Sequence, residues 1–355
     1  MTTQNINARY IIEIYDTSGK MVADLSGRAS LDSLIIERDE SGSCQFTLDL
    51  FSFEKYALSM NLNPLDILAV NKNEVRIRRY NKYLFGGQIS HIDPGAESGT
   101  NNIVVTALGW FNYLKYRLIG TAGAVFSATD AAQIAWSLIN TSQGLTNGNI
   151  GITSGTLTAS VNRDRTYAPY KNIHDAIVEL SQVINGFDFE VTWDRVFNVY
   201  YPSQGADHTA DLVFEYPGNI KKLHSPIDGA QMSNDVFATG NAIVEERSDT
   251  VFGANYGLRQ SQPNYPDVTE TVTLDQYGDS ELASFKDVLE LPQVVIDGNQ
   301  NPIVGAFWVG DKISLKVSEL QIFKHLNNVA YRIDKIEVTS DDQEQEEITL
   351  SLSLP

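Results

Sequence analysis

The side chains that could do chemistry in this chain are few and scattered. Five histidines stand at His91, His174, His208, His224 and His325, and no two share the spacing of metal ligands on one element. His224 with Asp228 is a local pair able to pass a proton, whereas His174 beside Asp175 reads as a helix-surface residue. Cys44 alternates with Phe46 and Leu48, the pattern of a small buried hydrophobe and not of a nucleophile. As the sole cysteine it excludes an intrachain disulfide and any multi-cysteine zinc site. Glycoside hydrolysis needs two carboxylates across a cleft, and 45 acidic residues leave that pair open. Trp193, Phe197, Tyr200 and Tyr201 could form a sugar-binding platform, although alternate positions of a hairpin normally divide between core and surface. The sequence has no GxSxG elbow, phosphate-binding P-loop, HExxH or dinucleotide fingerprint. Asp297-Gly298-Asn299 reads as a tight turn, not a calcium loop. No catalytic residue, metal or cofactor is expected, and the chain is read as a non-enzyme.

The elements that would position any site are mostly strands. Arg9–Tyr15, Met21–Leu25, Ser33–Arg38, Cys44–Phe51, Leu65–Val70, Glu74–Tyr80, Tyr83–Ile92 and Ile103–Leu108 are candidates, with turn signals between them. Short strands at this spacing predict a barrel or sandwich. Gly86-Gly87 inside one of them predicts a bulge or sharp bend. From Phe111 the period changes. Ala131, Ile134, Ala135, Leu138 and Ile139 mark one buried helix face, with Ser127 as its expected cap. Ile173, Ala176, Ile177, Leu180, Val183 and Ile184 mark a second helix, capped by Asn172 and stopped at Gly186. A hairpin follows, Phe187–Trp193 turning at Asp194-Arg195 into Val196–Pro202. Further strands are expected at Asp211–Tyr216 and Asp235–Glu246, then a long exposed loop over Arg247–Asp267, then a short helix using Leu282, Phe285, Val288 and Leu289.

Composition narrows the function classes. Apolar residues make up 42% and charged residues 20%, which is globular composition, and the length suits about two to four domains. A net charge of −19 opposes binding to nucleic-acid phosphates, which needs clustered Lys and Arg. No sequence-specific nucleic-acid binding is expected. The N-terminus lacks the cationic start and apolar run of a signal peptide, and Gly120–Ile139, the most apolar window, is too polar to span a bilayer. Stable membrane insertion is not expected.

The two ends of the chain repeat each other. Pro64–Val70, Tyr83–Asp93 and Asn101–Leu108 are followed, about 245 positions later, by Val309–Val317, Val329–Val338 and Glu346–Leu354. The offset sets Asp66 on Asp311, Leu68 on Ile313, Ile103 on Ile348, Val105 on Leu350 and Ala107 on Leu352, while the middle strand slips by about two or three residues. Two similar β modules bracketing a different middle suggest a pseudo-symmetric ring.

With FGGQISHI at Phe85–Ile92, the DAAQIAWSLINTSQ helix, GITSG at Gly151–Gly155 and the closing VGDKISLKV, AYRIDKIEV and EEITLSLSL, the chain resembles the tail hub proteins of long-tailed bacteriophages. The wider family includes the baseplate hubs of contractile tails and related injection machines. The resemblance implies an α+β, mainly β chain: two tube-type β-barrel domains, 1–112 (open to completion by strands after 210) and 221–355 with an inserted loop and short helix, flanking an α+β domain at 113–220. It also implies a homotrimer whose six barrels form a ring beneath a hexameric tube and hand over to a three-fold tip. The expected partners are distal tail and tail-tube proteins, a tape measure protein and a tip or spike protein. The expected location is the virion tail, assembled in the host bacterial cytoplasm.

The interface is expected on Leu65, Ile67, Tyr83, Phe85, Ile89, Ile313, Leu315, Tyr331, Ile333 and Ile336. An acidic lining that repels DNA phosphate is expected to draw on Asp341, Asp342, Glu344, Glu346 and Glu347. Three copies would carry 3 × −19 = −57 formal charges. The alternative is a host-surface or glycan-binding adsorption protein using the hairpin aromatics and Arg247–Asp267. A tail-associated cell-wall hydrolase ranks last.

Overall fold

The computed structural model describes residues 10–97, 100–183, 185–266, 268, 270–340 and 346–354. Strand outweighs helix two to one, 42% against 21%, so the chain is α+β and mainly β. Among the described residues no helix is long and apolar enough to cross a membrane.

The N-terminal strands are β1 (Tyr10–Tyr15), β2 (Met21–Asp24), β3 (Ala29–Glu37), β4 (Ser43–Asp49), β5 (Glu74–Arg79), β6 (Lys82–Glu97) and β7 (Thr100–Gly109). Two helices, α1 (Leu50–Ser59) and α2 (Pro64–Ile67), join β4 to β5. Asp49 caps α1 by accepting the Ser52 N–H, and Phe53 and Ala57, one turn apart, are its buried residues. Asn63 caps α2 and Pro64 opens it, a pair that specifies a helix start. The strand expected over Leu65–Val70 is therefore replaced by a helical turn.

The middle segment holds β8 (Ala124–Asp130), α3 (Ala131–Gln143), β9 (Thr153–Leu157), β10 (Asn162–Tyr167), α4 (Ile173–Ser181), β11 (Asp188–Val191) and β12 (Val196–Tyr200). Its apolar helix faces, Phe111, Leu114, Phe187, Phe189 and Phe197 form a hydrophobic cluster of their own. Asn172 caps α4 as expected, but Asp130, not Ser127, caps α3.

The strands continue with β13 (Phe214–Tyr216) and β14 (Ile220–His224), then β15 (Ile227–Asp228), β16 (Asp235–Thr239), β17 (Val244–Ser248), β18 (Gln260–Ser261) and β19 (Leu289–Glu290), with α5 (Thr250–Tyr256) and α6 (Thr271–Phe285) between. His224–Gln293 is a compact unit of its own; the remainder, Met1–Leu223 with Val294–Pro355, is the other. In the smaller unit α6 buries Leu274 and Gly278, and Arg247 on β17 pairs with Asp275 and Asp279 of α6. Arg247–Asp267 is thus not the uniform loop expected, since it contains α5 and β18. The expected short helix is the longer α6, which ends before Val288 and Leu289.

The chain closes with β20 (Gln293–Asp297), β21 (Lys312–Val317), β22 (Ala330–Ser340) and β23 (Glu346–Ser353). Thirteen strands form one sheet with the order β14-β20-β23-β22-β3-β4-β7-β6-β5-β1-β2, while β21 pairs with β22 and β13 with β21. That order contains the same path twice, β3-β4-β7-β6-β5-β1 and β14-β20-β23-β22-β21-β13, and the strands of each path occur in the same order along the chain. At their last joint the paths differ: β1 pairs antiparallel with β5, and β13 parallel with β21.

The repeat extends to single residues. Ile89 faces Ala107 and His91 faces Thr106, leaving Ser90 as the extra residue of a bulge. Ile333 faces Leu352 and Lys335 faces Ser351, leaving Asp334 in the same place. The β7–β23 offset is 245 (Ala107 to Leu352), and the β6–β22 offset is 244 (Ile89 to Ile333), so the middle strand slips by one residue and not by two or three. The counterpart of β21 in the repeat is β5: Val75 faces Gly87 as Ile313 faces Tyr331. That offset is 238 (Val75 to Ile313), because a helical turn at Gln321–Leu326 lengthens the β21–β22 connection where β5 and β6 are joined tightly. The match of Leu68 to Ile313 is corrected accordingly.

Candidate assembly surface

Alternation along the paired strands sends most of the expected interface residues inward. Ile67, Phe85, Ile89, Ile313, Leu315, Tyr331, Ile333 and Ile336 are buried in the main hydrophobic cluster. Tyr83 is half-buried and stacks on Trp193 at 4.0 Å between ring centroids. Leu65 is 61% exposed, and Phe51 and Leu58 of α1 are exposed too. These inward residues hold the sheet together in a single copy and are not available at its surface.

Of the acidic set, Asp341, Asp342 and Glu344 lie outside the described residues. Glu346 is fully buried, and Arg79 Nη1 donates to its Oε1 at 2.7 Å. It faces the protein interior, so the lumen expectation is corrected for this residue. Glu347 is half-buried and pairs with Lys222 at 2.9 Å.

Polar junctions fasten the helical middle to the sheet. Asp188 of β11 accepts from Arg38, which follows β3, at 2.9 Å, and from Arg332 of β22. Arg38 also donates to Asp39 and Asp334, and Asp39 accepts the Phe189 N–H at 2.7 Å. Burial and the adjacent Asp188 charge push the Asp39 carboxyl up to about 7. Burial also acts to raise Asp188, but the hydrogen bonds from Arg332 and the Gln204 N–H outweigh it and hold that carboxyl below its usual range. Arg38, Asp39 and Asp188 line a polar cleft of about 520 Å³ with Val178, Gln182 and Tyr201. Nearby, Glu74 of β5 is shared by Arg76 and Arg195, while the Arg195 guanidinium lies over Trp110. Each carboxylate in these junctions is tied to an arginine or a backbone N–H that joins two elements.

The residues considered for catalysis are dispersed. His174 is buried, not at the helix surface, where it meets Glu40 and Asp175, each at 3.1 Å, and packs against Phe111. Burial acts to raise the Glu40 carboxyl, yet its bonds to His174 and Ser41 dominate and lower it to about 2. His208 lies beside Asp211 and Asp311. His91 and His224 are exposed strand residues. Cys44 is buried, and burial drives its thiol pKa upward. Phe197 fills the core of the middle segment and Trp193 is covered by Tyr83, so the four hairpin aromatics do not form one exposed platform. Among the described residues, no group of three His, Cys, Asp or Glu side chains is arranged to hold a metal.

A sheet built twice from one strand order, with a helical insert packed on it, is a phage tail hub-like fold. The 43 kDa tail protein of prophage MuSo2 from Shewanella oneidensis is similar over 97% of this chain and 98% of its own, with a TM-score of 0.70 and 13% identity. The tail protein from Neisseria meningitidis is similar over 97% and 96%, with a TM-score of 0.68 and 11% identity. An Escherichia coli component of the type VI secretion system, described as similar to T4 tail proteins gp27 and gp5, matches over 92% of this chain and 74% of its own, with a TM-score of 0.50 and 11% identity. No protein-family model and no curated protein matches the sequence.

Proposed function

We propose that the chain is a structural, non-enzymatic hub at the distal end of a phage-like tail tube. Three copies form a ring of six similar barrel modules, adapting a six-fold tube to a three-fold tip, and the ring passes DNA through an acidic channel during ejection. Its neighbours in the tail are the distal tail and tube proteins, the tape measure protein and a tip or spike protein. The observation that carries the reading is the twice-used strand order, since a three-fold assembly of a duplicated module presents six similar faces. Similarity to tail proteins over nearly the full length of both partners supports it further. The DNA-repelling lining is drawn from the surplus of 45 acidic over 26 basic residues; Glu346 is not part of it.

Light scattering with negative-stain imaging tests the reading. The expected result is a species of three times 39.3 kDa with a central hole. A closed species with any other copy number overturns the symmetry adaptation.

A further inference from the structure

The two copies of the strand path are joined at one place, and that joint defines a second one that a single chain leaves open. On one edge β22 is paired along its length with β23. On its other edge, residues 330–332 pair with β21 and residues 335–339 pair with β3, the switch falling at the Asp334 bulge. Strand β6 is its counterpart. It is paired with β7 on one edge, while β5 covers residues 82–88 of the other and stops two residues short of the Ser90 bulge. From His91 to Glu97 that edge has no strand beside it among the described residues, and His91, Asp93, Pro94, Gly95, Ala96 and Glu97 are all exposed. The counterpart of β3 is β14, which ends the pairing order with only β20 beside it among the described residues.

We infer that β14 of one copy pairs with the His91–Glu97 edge of the next, repeating between copies the β3–β22 joint made within each chain. The inference rests on the ring reading above and names its interface. Within the chain's own sheet order six strands, β20, β23, β22, β3, β4 and β7, stand between β14 and β6. Contacts of this head-to-tail type close into rings when the rotation permits. The charges agree: His91–Glu97 carries Asp93 and Glu97 with no Lys or Arg, while Ile220–His224 has no acid and carries Lys221, 3.7 Å from Asp297, and Lys222, 2.9 Å from Glu347, both to be shared with the neighbouring edge. The internal joint has an opposite-charge pair as well, Lys335 with Glu37 at 3.6 Å. Edge lysines and prolines also serve to prevent strand addition; that opposing reading predicts a monomer.

Charge exchange on the full chain tests the pairing, since all four charged side chains lie on the surface. Light scattering over a concentration series is read for wild type, for Lys221→Glu with Lys222→Glu, for Asp93→Lys with Glu97→Lys, and for the four changes together. Each double variant is expected to raise the concentration for half-assembly by about tenfold, and the combined variant to bring it back to within about threefold of wild type. Doubles that assemble like wild type, or a combined variant no better than the doubles, overturn the edge pairing. A ring of trimer mass persisting in those cases leaves the hub reading intact. A wild-type chain that stays monomeric at every concentration overturns the pairing and favours the protective role of the lysines and Pro94. Formation of a closed ring with a copy number other than three, responding to the exchange as expected, keeps the edge pairing and rejects the three-fold adaptor.

Discussion

The ion pair between Arg79 and Glu346 offers a quantitative test of how the two halves of the sheet are held together. Arg79 ends β5, Glu346 begins β23, and their side chains are 3% and 0% exposed. Arg79 also donates through Nη2 to the Gly298 carbonyl at 3.0 Å. Arg79→Met keeps most of the stem but leaves a buried carboxylate without its guanidinium. Breaking one side of such a pair costs about 3–5 kcal/mol, whereas replacing both sides by apolar groups is often neutral or favourable. The larger compact unit has about 285 residues. At about 2.1 cal/mol/K per residue its unfolding entropy is about 0.6 kcal/mol/K, so a loss of about 4 kcal/mol lowers Tm by about 7 °C. Scanning calorimetry should show that drop for Arg79→Met and recovery of most of it when Glu346→Leu is added. A drop below about 1 °C, or a double variant no more stable than the single one, would refute the reasoning.

Burial with Asp188 raises Asp39 to about 7, so the folded state holds a proton that the unfolded state releases near pH 4. Its effect is a loss of stability as pH rises from about 4 to 7; Asp39→Asn should remove that slope from a plot of Tm against pH. Glu40 acts in the opposite sense: lowered to about 2, it adds stability above pH 4.5 that is lost on acidification towards 2. Glu40→Gln should lower Tm at pH 7 and flatten the acid limb. At Gly86 a Cβ would overlap the Trp193 backbone, whose carbonyl accepts the Trp110 Nε1–H at 3.0 Å. Gly86→Ala should therefore cost about 1–3 kcal/mol, measured by denaturant unfolding. Phe51→Ser and Leu58→Ser, at positions 62% and 71% exposed, should each change stability by less than about 0.5 kcal/mol in the same assay.

Local order was legible where one side of an element is buried and its period is unbroken. Helix α3, helix α4 with its Asn172 cap, and the hairpin over Asp188–Tyr200 all carry their signal within a dozen residues. The failures also have local causes. Pro64-Leu65-Asp66-Ile67-Leu68 alternates like a strand, but Asn63 before Pro64 is a helix start, and the alternation is incidental. Gly86-Gly87 was legible as a backbone constraint, yet the reason for it, close approach of the Trp193 backbone, comes from a residue more than a hundred positions away. The bulges adjoining that pair fall at Leu84 and Ser90 instead. Ion pairs such as Arg38–Asp188 and Arg79–Glu346 have no sequence signature, because topology alone brings their partners together.

The repeat shows why fold can outlast sequence in this architecture. Ile103, Val105 and Ala107 on β7 and Ile348, Leu350 and Leu352 on β23 share burial and register while differing in volume at two of the three positions. An apolar residue at alternate positions is enough to keep each strand's inner face, since a slip of one residue would turn every side chain over. The bulge then fixes where β22 leaves β21 and takes up β3. The same bulge in β6 meets no further strand beyond β5 along that edge among the described residues. A feature present in both modules but used in only one within the chain is what an assembly of identical copies would require, with the first module's bulge used at the joint between neighbours.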